Sequence, residues 1–140
     1  MKRIILISIF ISLWCGYVNS QTDITIYDAT MVDEEPLWVD CENLDKEKAR
    51  NCWEEHIHKF LNDNLKYPGT CMSYTGKVWI EFIIEKDGGI SELKVLKGDF
   101  APANEEAIRV LKLLPILVPA KQNGQPVRCR FRIPISFTLK

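Results

Sequence analysis

The side chains with the most reactive chemistry in this chain are its five cysteines. Cys15 lies within the first 20 residues, which are predicted below to be a cleaved export signal. Without it an even set of four remains, at Cys41, Cys52, Cys71 and Cys129. In an oxidising compartment such a set is typical of disulfide bonds. We predict disulfides for these four, and favour the Cys41–Cys52 pair because it flanks a short polar stretch. Sequence alone leaves the pairing of the other two open, and the alternative is four free, buried thiols.

Cysteine and histidine one helical turn apart can also bind a metal ion. Cys52 and His56 have this spacing, and Glu55 and His58 lie nearby. His58, however, points to another side of a helix, and no second spaced ligand pair follows. We therefore predict no metal site and no cofactor.

The sequence also contains no Gly-x-Ser-x-Gly elbow, His-Glu-x-x-His pair, Cys-x-x-Cys pair or phosphate-binding glycine loop, so we predict no catalytic residues and no enzymatic activity.

The last segment, Val127 to Leu139, alternates between apolar and polar residues as a β-strand does. Its odd positions are apolar, and its even positions are Arg128, Arg130, Arg132, Pro134, Ser136 and Thr138. Proline has no N–H and is tolerated in a sheet only where that group would point away from a neighbouring strand. The pattern therefore predicts a strand at the edge of a sheet, with the backbone groups of the even-numbered residues turned outward.

An outward row of backbone groups can pair with an incoming extended peptide. On either side of Pro134 we expect this role for Arg130, Arg132, Ser136 and Thr138, and the arginines would favour acidic neighbours. The alternative is that the arginines and Pro134 only protect the edge against aggregation.

The elements that must position this strand can be predicted from periodicity and from breaking residues. Apolar residues at helical spacing predict a helix that begins after Asp45 as N-cap and ends near Lys66, before Pro68. Alternation predicts a strand from Lys77 to Lys86, apolar on both faces and therefore central in its sheet.

Two further elements complete the predicted fold. A tight turn at Asp87-Gly88-Gly89 leads to a second strand, Ile90 to Lys97. Pro102 opens a second helix that carries an apolar stripe and ends before Pro115. The predicted class is α+β.

The N-terminus resembles an export signal. Lys2 and Arg3 precede an apolar run, and small residues follow, which predicts a signal peptide at 1–20 with cleavage before Gln21. The alternative is an uncleaved inner-membrane anchor at residues 4–18, and only then would the chain contact a membrane. Residues 21–44 are predicted to form a strand-like or irregular lead-in, and 45–140 to form one domain.

Composition limits the partners. The chain has 140 residues, a net charge of −1, 46% apolar and 26% charged residues. These values are ordinary for one soluble domain and provide no overall field that would attract nucleic acid. A protein partner is expected, either a periplasmic protein or a second copy of the chain.

An ordered set of residues in the second half of the chain resembles the C-terminal domain of TonB. The set comprises Tyr67-Pro68, Gly76-Lys77-Val78, Phe82, Asp87-Gly88 with Ile90, Val95, Glu106-Ala107, Pro119, and Pro134-Ile135-Ser136-Phe137. It extends from about Asn64 to the end of the chain. The resemblance implies a three-stranded antiparallel sheet with two helices packed on one face, in a periplasmic module.

In that family the domain binds an extended segment of an outer-membrane transporter alongside its last strand. By resemblance, the partner-binding residues expected here are Asn64, Tyr67, Arg128, Arg130, Arg132, Ser136 and Thr138. The chain departs from an energy transducer in lacking a firm transmembrane helix and a proline-rich spacer, so peptide binding is the function expected, rather than full energy transduction. The alternative is a secreted, disulfide-stabilised domain, inhibitor-like or structural, with no role in transport.

Overall fold

A computed structural model of the chain describes residues 24–67 and 74–138. Its elements are β1 (Ile26–Asp28), a 3₁₀ turn (Val39–Cys41), α1 (Lys46–Asn64), β2 (Gly76–Ile84), β3 (Ile90–Lys97), α2 (Ala101–Leu111), β4 (Lys121–Gln122), β5 (Gln125–Pro126) and β6 (Arg128–Phe137). The predicted signal peptide or anchor, Pro68, Cys71 and Leu139 lie outside the described residues. Within them, no helix is both long and apolar enough to cross a membrane.

Helix α1 begins where the sequence predicts, because the Asp45 side chain accepts a hydrogen bond from the Lys48 backbone N–H at 3.1 Å. The helix ends at Asn64, two residues before the predicted end at Lys66. A disulfide joins Cys52 in this helix to Cys41 in the 3₁₀ turn, with 5.8 Å between their Cα atoms. The predicted Cys41–Cys52 pair is therefore confirmed.

The β2–β3 hairpin is also confirmed, and β2 is central in its sheet. Gly88 in the turn has a φ of 85°, and a Cβ atom there would lie 1.8 Å from the carbonyl oxygen of Leu117. The backbone approaches this closely because the Leu117 N–H donates to the Gly88 carbonyl at 3.0 Å. A residue without a side chain is required at this position.

The two helices pack on one face of the sheet, as predicted, and close a single main core. Helix α2 has Pro102 in its first turn and buries Ala103, Ala107, Val110 and Leu111. Helix α1 contributes Ile57 to the same core, where the described residues with the largest fully buried side chains include Phe82, Phe137, Ile80 and Ile84. The alternation that predicted the apolar faces of β2 and β6 therefore matches their burial.

The sheet has one strand more than expected. Its order is β1-β6-β2-β3, with β6 antiparallel to β2 and parallel to β1, and β4 and β5 form a separate two-stranded sheet. The prediction of a purely antiparallel, three-stranded sheet is wrong in this respect. Strand β1 has only three residues, too few to show an alternation, and its place is fixed by pairing with residues about a hundred positions later in the chain.

The segment that carries β1 contacts the rest of the domain through backbone pairing and through a buried side chain. Its backbone pairs at Glu34 with Lys121 and at Leu37 with Val118, and Trp38 is buried between Trp53 and Phe60. Cys129 in β6 lies opposite Tyr27 of β1 and is a free, fully buried thiol. The expectation that Cys129 would be disulfide-bonded is therefore wrong in this structure.

Candidate partner-binding edge

The first three residues of β6 are covered by β1, so they do not form a sheet edge. Tyr27 of β1 lies between Arg128 and Arg130 in the parallel register, and the Ala29 N–H donates to the Arg130 carbonyl at 3.1 Å. The chain then turns away, because the Met31 N–H donates to the Asp28 carbonyl at 2.9 Å. The prediction that the whole last strand borders the sheet is wrong for Arg128–Arg130.

Beyond Arg130, no described strand pairs with the outer side of β6. We call the stretch Arg132–Ser136 the open edge. The bond from Ala29 to Arg130 shows that even-numbered residues turn their backbone groups outward, and residues alternate along a strand. The N–H groups of Arg132 and Ser136 and the carbonyls of Arg132, Pro134 and Ser136 therefore point outward. Five residues of strand extend over roughly 17 Å.

Tyr67 closes the far end of the open edge. Its hydroxyl accepts a hydrogen bond from the Thr138 N–H at 3.4 Å, and its ring meets Phe137 edge-on with centroids 6.1 Å apart. Thr138 belongs to the same outward series, so its donor is already occupied. The open edge thus has β1 at one end and Tyr67 at the other.

Asn64, another residue expected by resemblance to bind a partner, forms hydrogen bonds with both helices. Its side-chain amide donates to the Phe60 carbonyl at 2.8 Å, and its own carbonyl accepts from Arg109 at 2.8 Å. Arg109 is held in turn by Glu106 in an ion pair at 2.6 Å. These contacts give Asn64 a role in closing the end of α1 against α2.

The arginines of β6 are paired with carboxylates of the same chain. Arg128 contacts both oxygens of Glu85, at 2.8 and 3.0 Å, and also Glu92 at 3.1 Å. Arg132 donates to Glu81 at 2.8 Å and to Asp28 of β1 at 3.2 Å. The expected attraction of acidic partners by all three arginines is therefore reduced at Arg128 and Arg132.

Arg130 is the most loosely paired of the three arginines. Its Nε lies 3.8 Å from the nearest Glu81 oxygen, and this buried atom has no hydrogen-bond partner among the described residues. A buried donor of a charged group without a hydrogen-bond partner is uncommon, and the long contact with Glu81 holds the Arg130 side chain less firmly than those of Arg128 and Arg132.

Hydrogen bonds and ion pairs stabilise the charged forms of Glu85 and Asp28. Hydrogen bonds from Arg128, followed by Ser91, lower the pKa of Glu85 although its burial opposes this. The pKa of Asp28 is also lowered, first by the hydroxyl and backbone N–H of Thr30 and then by Arg132. Both carboxylates are thus fixed as anions at neutral pH.

A hollow of about 320 Å³ lies where β1 ends and the open edge begins. Arg50 of α1, Arg130 and Arg132 line it together with Asp28 and Glu35. Arg50 and Glu35 are 3.8 Å apart, which is a loose pair. The hollow shares residues with a larger one of about 430 Å³, whose lining combines apolar side chains, among them Leu37, Trp53 and Phe131, with charged side chains of both signs. An extended guest on the open edge would therefore have charged and apolar side chains beside its end.

Asp28, Glu35, Arg50 and Glu81 are neighbours of this edge that were not predicted from the sequence. A signal for Glu81 exists, because β2 and β6 each turn charged residues to one face and an antiparallel register places Glu81 opposite Arg132. No local signal identifies the other three, since the hollow forms only when β1 and α1 meet β6.

A second cluster lies on the disulfide. Cys41, Cys52 and His56 hold possible metal-ligand atoms within 4.8 Å of one another, although the two sulfurs are joined as cystine.

Comparison with known proteins gives a family match. The model of the Gram-negative bacterial TonB protein C-terminal matches residues 64–139, slightly more than half of the chain. The NMR solution structure of the Helicobacter pylori TonB C-terminal domain (residues 179–285) is similar at 22% identity and a TM-score of 0.47, covering 62% of this chain and 80% of that one. No curated protein gives a significant match.

Proposed function

The chain belongs to the family of the TonB protein C-terminal domain of Gram-negative bacteria, and from this premise we propose that it is a non-enzymatic periplasmic module that binds an extended segment of an outer-membrane transporter. The guest adds as a strand to the open edge. The observation that carries this proposal is the row of outward backbone groups from Arg132 to Ser136, which no described strand covers.

The open edge suits a short guest. With β1 at one end and Tyr67 at the other, about five residues of β6 are available. Main-chain hydrogen bonds supply much of the affinity in such strand addition, and side-chain pockets supply the selectivity. Because Pro134 lacks an N–H, the ladder is interrupted at its middle, and Ser136 and Arg132 supply the donors on either side.

The neighbouring side chains favour an acidic residue at the β1 end of the guest. Arg130, whose contact with Glu81 is 3.8 Å long, lines the hollow together with Arg50 and Arg132. A carboxylate there would accept charge-assisted hydrogen bonds, which are the stronger kind. Tyr67, which is 45% exposed, supplies an aromatic contact at the opposite end.

A matched pair of substitutions tests strand addition directly. Ser136→Pro removes the outward N–H without removing a bond to β2, whereas Ser136→Ala removes the hydroxyl and keeps the N–H. Peptides covering the periplasmic segments of outer-membrane transporters from the same organism are titrated into each variant, and backbone amide shifts are followed by NMR.

We expect amide shifts at Arg132 and Ser136 in the original chain and in Ser136→Ala, and at least about a tenfold loss of affinity in Ser136→Pro, which corresponds to one lost hydrogen bond and a distorted ladder. Binding that is equal in the two variants would contradict strand addition. Shifts that appear on self-titration without peptide would instead indicate a second copy of the chain as the guest.

A further inference from the structure

The cystine of Cys41 and Cys52 has an imidazole beside it. The Nδ1 atom of His56 lies 3.6 Å from the Cys52 sulfur and 3.8 Å from the Cys41 sulfur. Cys52 and His56 are one turn apart on α1, so the helix holds them on the same side. Cys41 reaches them from the 3₁₀ turn and is fully buried.

The two distances from His56 Nδ1 to the sulfurs of Cys41 and Cys52 match those between ligands of a zinc ion. Zn–S bonds of about 2.3 Å and Zn–N bonds of about 2.0 Å, at a tetrahedral angle, place sulfur and nitrogen ligands roughly 3.5 Å apart. The nitrogen is thus already at the spacing of a ligand from both sulfurs. The two sulfurs are not, because they are bonded to each other, and they would have to separate.

The far side of the imidazole is also arranged as in metal sites. The Nε2 atom of His56 lies 3.4 Å from a carboxylate oxygen of Asp40. A histidine that binds a metal usually donates its other N–H to such a carboxylate, which fixes the ring and its tautomer. In the oxidised protein Nδ1 donates instead to the Cys52 carbonyl at 2.9 Å, so metal binding would shift the ring proton from Nδ1 to Nε2.

We propose that Cys41, Cys52 and His56 form a zinc site when the disulfide is reduced, with Asp40 positioning the histidine. A thiol reductant supplies two electrons and two protons, the S–S bond breaks, and the reductant leaves as its own disulfide. Zinc then binds both sulfurs as thiolates and Nδ1 as the third ligand, and the two thiol protons are released to solvent. Water fills the fourth position.

The site would keep the chain's N-terminal segment attached in either redox state. Disulfide and zinc close the same loop between the 3₁₀ turn and α1, so β1 stays linked to the helix face when the covalent bond is lost. This inference does not depend on the proposed peptide binding.

Zinc binding by the purified protein tests the proposal. The protein is reduced with a phosphine under nitrogen, and Zn²⁺ is titrated in competition with a chromophoric chelator. Co²⁺ is then used as a spectroscopic probe of thiolate ligation. We expect one zinc per reduced chain, thiolate-to-cobalt absorption, and neither in the oxidised protein.

Two matched controls identify the ligands. His56→Gln should weaken zinc binding at least about tenfold and Asp40→Asn about tenfold, whereas His58→Gln should leave it unchanged. Cys52→Ser should abolish the cobalt absorption, and Cys71→Ser should retain it. Equal zinc binding by oxidised protein, or equal losses in His56→Gln and His58→Gln, would overturn the proposal, as would a reduced protein that binds no zinc.

Discussion

The two halves of β6 share an alternation of inward apolar and outward residues, yet β1 covers one half and leaves the other open. Arg128–Arg130 pairs with β1 on its outer side, whereas Arg132–Ser136 pairs only with β2 among the described strands. Within β6, the open half differs by having Pro134 and Ser136 at outward positions in place of further arginines. A three-residue strand from much earlier in the chain determines which part of the outer edge of β6 stays uncovered.

The region that matches the family contains only one of the two elements that flank these halves, because it includes β2 and excludes β1. It begins at residue 64, the last residue of α1, and therefore includes all of β6 but neither β1 nor the disulfide. The covered half depends on contacts outside the matched region, and the open half depends on contacts within it. Substitutions in the N-terminal segment should therefore affect the covered half of β6 more than the open half.

The largest effect is expected from removing the disulfide. The double substitution Cys41→Ser and Cys52→Ser should lower the free energy of unfolding by about 2–3 kcal/mol, because a loop closed across 11 residues is released in the unfolded chain. Urea unfolding measures the loss. In hydrogen exchange the Ala29 amide should lose more protection than the Ile133 amide, which belongs to the β2–β6 ladder. Equal losses at both would mean that β1 does not open separately.

A smaller effect is expected from breaking one bond between β1 and β6. Ala29→Pro removes the N–H that donates to the Arg130 carbonyl, at a cost of about 0.5–1.5 kcal/mol in the free energy of unfolding. Ala29→Ser keeps that N–H and is the control. The freed Arg130 carbonyl extends the open edge, so Ala29→Pro should bind a longer guest peptide more tightly than Ala29→Ser does. Calorimetric titration compares the two variants, and indistinguishable affinities would argue against β1 as the limit of the site.

The smallest effect is expected from the ion pair that holds Arg128 in the covered half. Since Arg128 lowers the pKa of Glu85 below the usual value of 4.5, its contribution to stability is present above that pH and is lost as the pH falls through the lower, folded-state pKa. Glu85→Gln should therefore cost less than about 1 kcal/mol at neutral pH and reduce the loss of stability in acid.

The control for this pair is Glu92→Gln, because Glu92 contacts the same arginine but its side chain is 61% exposed, against 29% for Glu85. Urea unfolding at neutral and acidic pH should show the smaller change for Glu92→Gln. An acid dependence that Glu85→Gln leaves unaltered would place the relevant carboxylate elsewhere.

Most of the fold was predictable because its signals are local. Asp45 caps α1, glycines mark the β2–β3 turn, and alternation predicted the buried face of β6. Each of these features depends on residues close together in the chain, where periodicity and backbone preferences act directly.

The candidate site was predictable only in part. The outward direction of the even-numbered residues follows from Pro134 and is supported by the bond between Ala29 and Arg130. The covering of Arg128–Arg130 could not be predicted, because Ile26–Asp28 is too short to show a period and its pairing is long-range. The approach of His56 to both sulfurs also emerged only in three dimensions, when Cys41 joined Cys52 and His56 on α1.

The buried thiol of Cys129 makes the covered half observable without a label being engineered. It sits opposite Tyr27 and packs near Ala29, and burial raises its pKa to about 11, so it is almost unreactive while β1 is in place. A thiol reagent can modify it only when the residues that cover it, which include Tyr27 of β1 and Ala120, move away or when the whole chain unfolds. The alkylation rate of Cys129 therefore reports how often such openings occur. A guest that displaced β1 would increase this rate.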